Sequence, residues 1–313
     1  MRPPRYLRVS VTARCNLRCS YCGPPLPYAS ADDRGEIDGE ELQALVRAAA
    51  AEGVRKVRIT GGEPLMRDDL ESLVGRAGAV EGVEEVTLTT NGLGLAGRAR
   101  PLHKAGLDRI NISLDTLDPA MFRRVTGRAG HSEVRAGIRA AREVFPVVKL
   151  NTVVMSGVNA GELEELVRFA AREGVRIRFI EKYLSVGPEA SANDPCAEDI
   201  DERLRSAFGR LVERSVDSLS VERGYRVPAA DDARVGIIAA RRGPSCGDCA
   251  KLRFTADGRL LPCLFAHSGI RVRSPLADGN EAAVRRSIRE CMGRKRGARA
   301  SAAAPEPISR VGG

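Results

Sequence analysis

Residues 7–22 read LRVSVTARCNLRCSYC, a short strand-like run followed at once by a cysteine-rich loop. Apolar and polar residues alternate over residues 7–11, which predicts a strand. Cys15, Cys19 and Cys22 follow with C-x3-C-x2-C spacing. In barrels and sheets of parallel strands, ligands bind at the loops after the strands. We therefore expect a ligand-binding loop at the carboxyl end of the first strand.

The alternation of strands and helices continues to about residue 180 and decides the fold class. The predicted strands cover residues 7–11, 56–60, 85–89, 109–113, 147–154 and 176–181. The predicted helices cover residues 39–52, 68–76, 95–104, 132–144 and 160–173. This order is typical of an α/β fold with a parallel sheet. Six repeats can wrap into an incomplete (βα)6 barrel that resembles a TIM barrel, and a flat doubly wound sheet is the alternative.

The regular alternation of strands and helices ends after about residue 183, which suggests that the chain has three regions. We predict a partial barrel over residues 1–183, a C-terminal domain over residues 184–299, and a flexible Ala/Pro-rich tail over residues 300–313 that ends in Gly-Gly. Residues 184–201 are predicted to form a connecting loop. The basic stretch at residues 285–299 is predicted to be a solvated tail.

Composition and charge narrow the class of protein. The chain has 313 residues, of which 43% are hydrophobic, and it has no 18-residue apolar run. Its N-terminus lacks the apolar core of a secretory signal, so we expect a cytoplasmic protein with reduced cysteines and no membrane association. The 50 basic residues outnumber the 41 acidic ones, giving a net charge of +9 that suits an anionic partner.

The cysteines form two sets of three, which favours metal binding. Structural zinc closes a shell of four ligands, whereas three thiolates leave one iron of a four-iron cluster open. The second set, Cys246, Cys249 and Cys263, has C-x2-C-x13-C spacing, and here zinc with His267 as fourth ligand is an equal alternative. The two remaining cysteines are predicted to be buried or incidental: Cys196 and Cys291.

The first cysteine set resembles that of the radical S-adenosylmethionine (SAM) superfamily, and a second motif agrees. Residues 59–70 read ITGGEPLMRDDL, in which Gly61–Pro64 match the family's GGEP motif. The resemblance implies that the open iron chelates SAM and that GGEP binds its amino group. Reduction of the cluster then cleaves SAM to a 5′-deoxyadenosyl radical, which abstracts a hydrogen from the substrate.

The whole chain is similar to the GTP 3′,8-cyclases of molybdenum cofactor biosynthesis. The matching stretches include KVRITGGEPLMRDDL, LTTNG, LDRINISLDTLD and CGDCAKLRFTADGRLLPCLFA, in order over residues 6–280. The resemblance implies a second 4Fe–4S cluster whose open iron contacts the purine, and a Gly-Gly tail that reaches the active site. It also implies conversion of GTP to 3′,8-cyclo-7,8-dihydro-GTP, an electron donor of the flavodoxin or ferredoxin type, and a homodimer.

Four predicted strands carry basic residues on one face, which independently indicates an anionic substrate. Side chains alternate along a strand, and strands of a covered parallel sheet are normally apolar throughout. An unpaired buried charge is unfavourable, so these cations need an anion. If all four faces point inward, they form a cationic funnel suited to a triphosphate. The alternative is that the cations pair with Glu63, Asp115 or Glu181.

The family resemblance assigns roles to individual positions. The cysteines of the first set bind the SAM cluster and those of the second set bind the other cluster. The SAM-binding residues are Gly61, Gly62, Glu63, Thr90, Ser113 and Tyr21. The substrate-binding residues are Arg8, Lys56, Arg58, Lys149, Arg178, Lys251 and Arg253. Arg253, Lys149 and Arg178 are assigned to catalysis, where positioning and electrostatic stabilisation are the expected contributions.

Some positions depart from the family pattern and keep two other functions open. Ala250 and Lys251 stand where the family has Asn and Arg, and Tyr183 stands where it has Met. Lys cannot replace the planar fork of Arg. The first alternative is a radical SAM paralogue that acts on another nucleotide, nucleoside or sugar nucleotide. The second is a zinc protein that binds nucleic acid, which the low aromatic content of 4% disfavours.

Overall fold

The structure is a computed structural model, and it describes residues 3–22, 35–182, 193–216, 222–239, 249–266 and 268–296. Its strands are β1 Tyr6–Ser10, β2 Lys56–Thr60, β3 Glu85–Thr90, β4 Arg109–Ser113, β5 Val148–Val154, β6 Arg176–Glu181, β7 Val212–Arg214, β8 Glu222–Val227, β9 Ala233–Ile238, β10 Lys251–Phe254, β11 Arg259–Leu261 and β12 Ile270–Arg271. Its helices are α1 Gly39–Ala51, α2 Leu70–Gly78, α3 Leu95–Lys104, α4 Pro119–Thr126, α5 His131–Val144, α6 Leu163–Arg172, α7 Ala197–Phe208, α8 Arg273–Ala277 and α9 Glu281–Gly293.

One sheet joins all these strands in the order β12-β11-β10-β1-β2-β3-β4-β5-β6-β9-β8-β7. Strands β1 to β6 lie in chain order and each pairs parallel to the next. A doubly wound sheet reverses its strand order near the middle, whereas a βα barrel keeps chain order. The two ends of the sheet do not pair, so the architecture is the predicted incomplete barrel.

The C-terminal strands lengthen both edges of this barrel. Strand β10 pairs parallel to β1 and continues into the antiparallel strands β11 and β12. Strand β9 pairs parallel to β6 and continues into β8 and β7. The predicted division of the chain at residue 183 stays a prediction, because the same sheet runs through both parts.

The two faces of the sheet differ sharply in polarity. On one face lie fully buried apolar side chains such as Leu7, Val57 and Leu150, which form the core with the surrounding helices. The alternate residues, such as Arg8, Arg58 and Lys149, lie on the opposite face, because side chains alternate along a strand. We call this second face the lumen face; it carries the polar side chains discussed below.

Two local features differ from the prediction. The predicted loop over residues 184–201 is helical from Ala197, where Asp199 accepts a hydrogen bond from the Cys196 backbone in a capping box. Helix α4 was not predicted, although Asp118 caps its first turn through two backbone N–H groups. The boundaries of the six barrel strands otherwise agree with the prediction to within one residue.

The stretch over residues 285–299 was predicted to be a solvated basic tail. Its described part, up to residue 296, is instead packed on the protein. Helix α9 buries Ile288 and Cys291 against the core. Arg285 and Arg289 pair with Glu52, the C-cap residue of α1, at 2.8 and 2.5 Å. The predicted tail over residues 300–313, with its Gly-Gly end, lies outside the described residues. Among the helices of the described ranges, no span has the length and hydropathy needed to cross a membrane.

Candidate active site

The first cysteine set lies on the loop after β1, as predicted. Cys19 and Cys22 belong to a tight turn in which the Cys22 N–H donates to the Cys19 carbonyl at 3.0 Å. Burial raises the pKa of the Cys19 thiol well above its ordinary value, and the charges of Asp115, Cys22 and Cys15 add to the shift. Thiolates at this place therefore require a bound cation, which the iron of a cluster supplies.

The donor set of this loop is three thiols, those of Cys15, Cys19 and Cys22. Thiolates are the usual ligands of iron–sulfur clusters, and three of them leave one iron of a four-iron cluster without a protein ligand. The donor set thus fits the 4Fe–4S cluster that the resemblance implies, with one position left for another ligand.

The GGEP loop holds the cysteine loop in place. The Gly62 N–H donates to the Thr12 carbonyl and the Glu63 N–H to the Arg14 carbonyl, both at 2.7 Å. A Cβ atom on Gly62 would lie 2.2 Å from the Arg14 oxygen, and one on Gly61 would lie 2.6 Å from the Thr12 oxygen. The glycines therefore permit a close approach to the cysteine loop, and not only to a ligand.

Replacing Gly62 with alanine is expected to destabilise the protein and to lower its iron content. The clash is with backbone that cannot move aside, and overpacking of this kind costs about 1–3 kcal/mol. Gly97→Ala is the control, because a Cβ there meets nothing within 4 Å and alanine favours a helix. Denaturant unfolding and iron per chain measure both effects, and equal values for the two variants would contradict this role of Gly62.

Glu63 is a buried hub that joins the motif to β3. Its Oε1 accepts hydrogen bonds from Thr90 Oγ1 at 2.7 Å and the Leu65 N–H at 2.9 Å, and its Oε2 accepts from the Asn91 N–H at 2.6 Å. Burial raises the pKa of the Glu63 carboxyl to about 7. Asn91 also donates to Asn16 Oδ1 in the cysteine loop at 2.7 Å. Sequence reasoning missed Asn91 and Asn16, although the LTTNG stretch contained the first.

Tyr21 and Asp115 connect the cysteine loop with the end of β4. The Tyr21 hydroxyl donates to Asp115 Oδ2 at 2.8 Å, and Asp115 Oδ1 accepts from the Val153 N–H at 2.9 Å. Burial raises the pKa of the Asp115 carboxyl to about 6. Ser113, the other residue assigned to SAM at this end, is the last residue of β4 and is half-buried. The predicted SAM-binding residues thus surround one end of the barrel.

The two described cysteines of the second set, Cys249 and Cys263, lie at the opposite end of the barrel. Cys249 comes just before β10 and Cys263 follows β11, whereas Cys246 and His267 lie outside the described residues. Lys295 is buried against this set: its Nζ donates to the Lys251 carbonyl and its charge interacts with both described thiols. Sequence reasoning did not single out Lys295. Among the other cysteines, Cys291 is buried as predicted and Cys196 is half-buried at the start of α7.

Basic residues line the lumen face between the two cysteine sets. Arg8 lies in register with Arg253 on one side and with Arg58 on the other. Further round the sheet, Lys149 lies beside Asn111, and Arg178 lies beside Asn151. Lys56 and Lys251 occupy the same face at the amino ends of β2 and β10. We call this set the cationic lumen: Arg8, Lys56, Arg58, Lys149, Arg178, Lys251 and Arg253.

Carboxylates other than Glu63 and Asp115 accompany two of these cations. Glu63 and Asp115 bind the groups described above, whereas Glu85 lies 2.6 Å from Lys56 Nζ and Glu222 lies 3.6 Å from Lys149 Nζ. Arg178 Nη2 donates to Asn111 at 2.8 Å and Asn151 at 2.5 Å. The seven cations of this set give the lumen a positive field.

Unsatisfied polar atoms in the lumen also fit a polar ligand. The Tyr6 hydroxyl, the Thr89 hydroxyl and Arg178 Nε are buried and make no hydrogen bond within the described residues. Buried polar groups are normally hydrogen-bonded, so these atoms indicate a missing ligand. Burial lowers the pKa of the Arg178 guanidinium to about 10 and that of the Lys251 ammonium to about 8, which an anion beside them would reverse.

Anion binding in the lumen is expected to weaken as the pH rises above 7. Burial, followed by the charge of Arg178, lowers the pKa of the Lys149 ammonium to about 7, against the opposing effect of Glu222. A bound phosphate favours the charged form, so binding above this pH takes up a proton. Without a ligand, Lys149 binds more protons in the unfolded than in the folded protein between about pH 7 and 10. Its contribution to the free energy of unfolding therefore rises with pH over that range.

Calorimetry of triphosphate binding in buffers of different ionisation enthalpy measures this proton uptake. Lys149→Arg is the matched control, because arginine stays charged and is expected to abolish the uptake. Equal proton uptake in the wild-type protein and this variant would contradict the assignment to Lys149.

A buried ion pair follows the last strand of the barrel. Lys182 is buried at the end of β6, and its Nζ lies 3.0 Å from Asp194, which also accepts from the Ser156 N–H. The lysine therefore pairs within the protein. Its neighbour Tyr183 lies outside the described residues.

Known families match both parts of the chain. Residues 9–170 match the family described as the Radical SAM superfamily, and residues 175–300 match the family described as Molybdenum Cofactor Synthesis C. A GTP 3′,8-cyclase of Heliobacterium modesticaldum is 42% identical over 280 residues, which is 88% of this chain and 85% of that protein. GTP 3′,8-cyclase 1 of Mycobacterium tuberculosis is 40% identical over 281 residues, which is 87% of this chain and 77% of that protein.

Solved structures agree on the fold. Streptococcus suis SuiB bound to S-adenosylmethionine superposes with a TM-score of 0.60 at 19% identity, over 83% of this chain and 60% of that one. The protein anSMEcpe with bound AdoMet and Kp18Cys peptide gives 0.61 at 16% identity, over 94% of this chain and 84% of that one. The chain therefore belongs to the radical SAM superfamily and, within it, to the GTP 3′,8-cyclase family.

Proposed function

We propose that this protein is a radical SAM lyase that converts GTP to 3′,8-cyclo-7,8-dihydro-GTP in molybdenum cofactor biosynthesis. One observation carries the proposal: the cationic lumen lies between the two cysteine sets. Cys15 lies five residues beyond Ser10, the last residue of β1. Cys249 lies two residues before Lys251, which pairs with Tyr6, the first residue of β1. The five residues of β1 between them span on the order of 16 Å, so the lumen is long enough for a nucleotide.

The cofactors are two 4Fe–4S clusters and SAM. Cys15, Cys19 and Cys22 hold the first cluster, and the second set holds the other, with Cys249 and Cys263 at the amino end of the barrel. When bound, the first cluster and SAM supply the one-electron chemistry that removes a hydrogen atom from the substrate. The residues of the GGEP motif and its surroundings would orient SAM: Gly61, Gly62, Glu63, Thr90, Ser113 and Tyr21.

The side chains of the lumen would bind and orient the nucleotide. Arg178 is held by two asparagines, and its Nε has no hydrogen-bond partner within the described residues. Lys149 lies on the neighbouring strand β5, and Arg58 lies on β2 further round the same sheet. Fixed cations hold the triphosphate and place the ribose toward the first cysteine set and the purine toward the second. Arg253 and Lys251, on the strand that follows Cys249, would contact the base end. Positioning of this kind makes the C3′–C8 bond the favoured outcome after hydrogen removal.

Other features of the proposal follow from the family. We expect an electron donor of the flavodoxin or ferredoxin type, a homodimer and a cytoplasmic location. The cationic lumen supports a phosphorylated small molecule as substrate and suggests no role for nucleic acid.

The test is anaerobic incubation of the reconstituted protein with SAM, a strong reductant and GTP, followed by product mass analysis. We expect 5′-deoxyadenosine together with cyclised GTP. Formation of 5′-deoxyadenosine without cyclised GTP would reject this substrate and favour the paralogue acting on another phosphorylated compound. A protein that contains zinc and does not cleave SAM would reject the radical chemistry.

A further inference from the structure

A buried carboxylate of the C-terminal strands reaches into the cationic lumen. Glu222 is the first residue of β8, and its side chain is 4% exposed. Its Oε2 lies 3.6 Å from Lys149 Nζ and 3.9 Å from Arg178 Nη1, and its Oε1 lies 3.6 Å from Arg214 Nη1. One carboxylate is therefore shared among three cations, two of which are assigned to the substrate.

The neighbouring strands leave room for this side chain. Gly236 of β9 lies in register with Arg178 on one side and Gly224 on the other. A Cβ atom on Gly236 would lie 2.6 Å from the Glu222 carboxyl carbon, and one on Gly224 would lie 3.0 Å from Arg214 Nη1. Two facing glycines thus let Glu222 and Arg214 extend across the sheet toward the lumen.

We propose that Glu222 is an internal counter-ion that competes with the substrate's phosphates for Lys149 and Arg178. A phosphate that binds both cations enters the neighbourhood of the buried carboxylate. Like charges so placed repel each other strongly where water is excluded. Glu222 therefore stabilises the free protein and weakens the binding of phosphorylated ligands, so it sets the affinity of the lumen for phosphate groups. The proposal rests on the proposed function only for the identity of the nucleotide.

The test measures binding of inorganic tripolyphosphate and of GTP, at fixed salt, to the wild-type protein and to Glu222→Gln. We expect the variant to bind both ligands about tenfold more tightly, because one repulsive charge is gone. We also expect the free variant to melt several degrees lower, because its buried cations have lost their counter-ion. A general loss of structure would lower the melting temperature without tightening anion binding.

Glu164→Gln is the matched control, since it removes the same charge from an exposed ion pair on α6 and is expected to change neither quantity. Glu222→Asp is the second variant: it keeps the negative charge but withdraws the carboxylate from the two cations, and we expect about threefold tighter binding. Tripolyphosphate binding that is equal or weaker in both Glu222 variants would overturn the proposal. Weaker GTP binding with unchanged tripolyphosphate binding would also overturn it, because Glu222 would then contact the nucleoside. Tighter tripolyphosphate binding without any cyclised GTP would leave the counter-ion in place and reject the proposed substrate.

Discussion

Replacing Cys19 with alanine is expected to lower the rate of SAM cleavage more than about 100-fold. Loss of a residue that only hydrogen-bonds to a metal ligand already lowers activity about 10–100-fold, and loss of the ligand itself has a larger effect. Cys19 lies between Cys15 and Cys22 in the turn that holds the first set. Without its thiolate the remaining two sulfurs cannot retain a four-iron cluster. The measurement is 5′-deoxyadenosine formed per chain under a strong reductant, together with the iron content.

The second cysteine set provides the contrast. Cys263→Ala is expected to keep SAM cleavage and to lose cyclised GTP, because the second cluster lies at the far end of the lumen. Cys196→Ser is the control at the start of α7, outside both sets, and is expected to behave as the wild-type protein does. If Cys263→Ala stopped SAM cleavage while Cys19→Ala did not, the assignment of the two sets would be reversed.

Replacing Arg178 with methionine is expected to lower kcat/KM for the nucleotide about 10²–10³-fold, as for other preorganised donors in active sites. Arg178 is buried and is aligned by Asn111 and Asn151, and its Nε has no hydrogen-bond partner among the described residues. The aligned guanidinium can therefore donate to a phosphate without reorganising. Steady-state kinetics and GTP binding measure the effect.

Arg178→Lys separates the charge from the planar fork. Lysine keeps the charge but cannot bind both asparagines and a phosphate in one plane. We therefore expect kcat/KM of Arg178→Lys to exceed that of Arg178→Met by less than about tenfold. Arg124→Met, at an exposed position of α4, controls for the change in net charge. Wild-type kinetics for Arg178→Met would show that the cations of β6 do not hold the substrate.

Local sequence patterns were sufficient to predict the barrel and the position of the first cysteine loop. Strands such as Lys56–Thr60 and Arg109–Ser113 match the prediction at both ends, because a change of period marks them clearly. The lumen face could also be predicted, since period-2 alternation in parallel strands places Arg8 and Arg58 side by side.

The sequence could not show which groups meet across the lumen. Glu85 and Glu222 lie far along the chain from the cations that they accompany, and nothing in their local sequence marks them. The same holds for Asp115, which bonds to Tyr21 across 94 residues of sequence, and for Lys295, which contacts the carbonyl of Lys251. Helix α4 was missed because its eight residues are too few for a periodic signal.

Incubation with GTP deuterated at the ribose C3′ tests whether the lumen presents this carbon to the radical chemistry of the first cysteine set. We expect the deuterium to be found in 5′-deoxyadenosine and to be lost from the cyclised product. Unlabelled 5′-deoxyadenosine formed from the deuterated nucleotide, whether or not GTP is consumed, would contradict it.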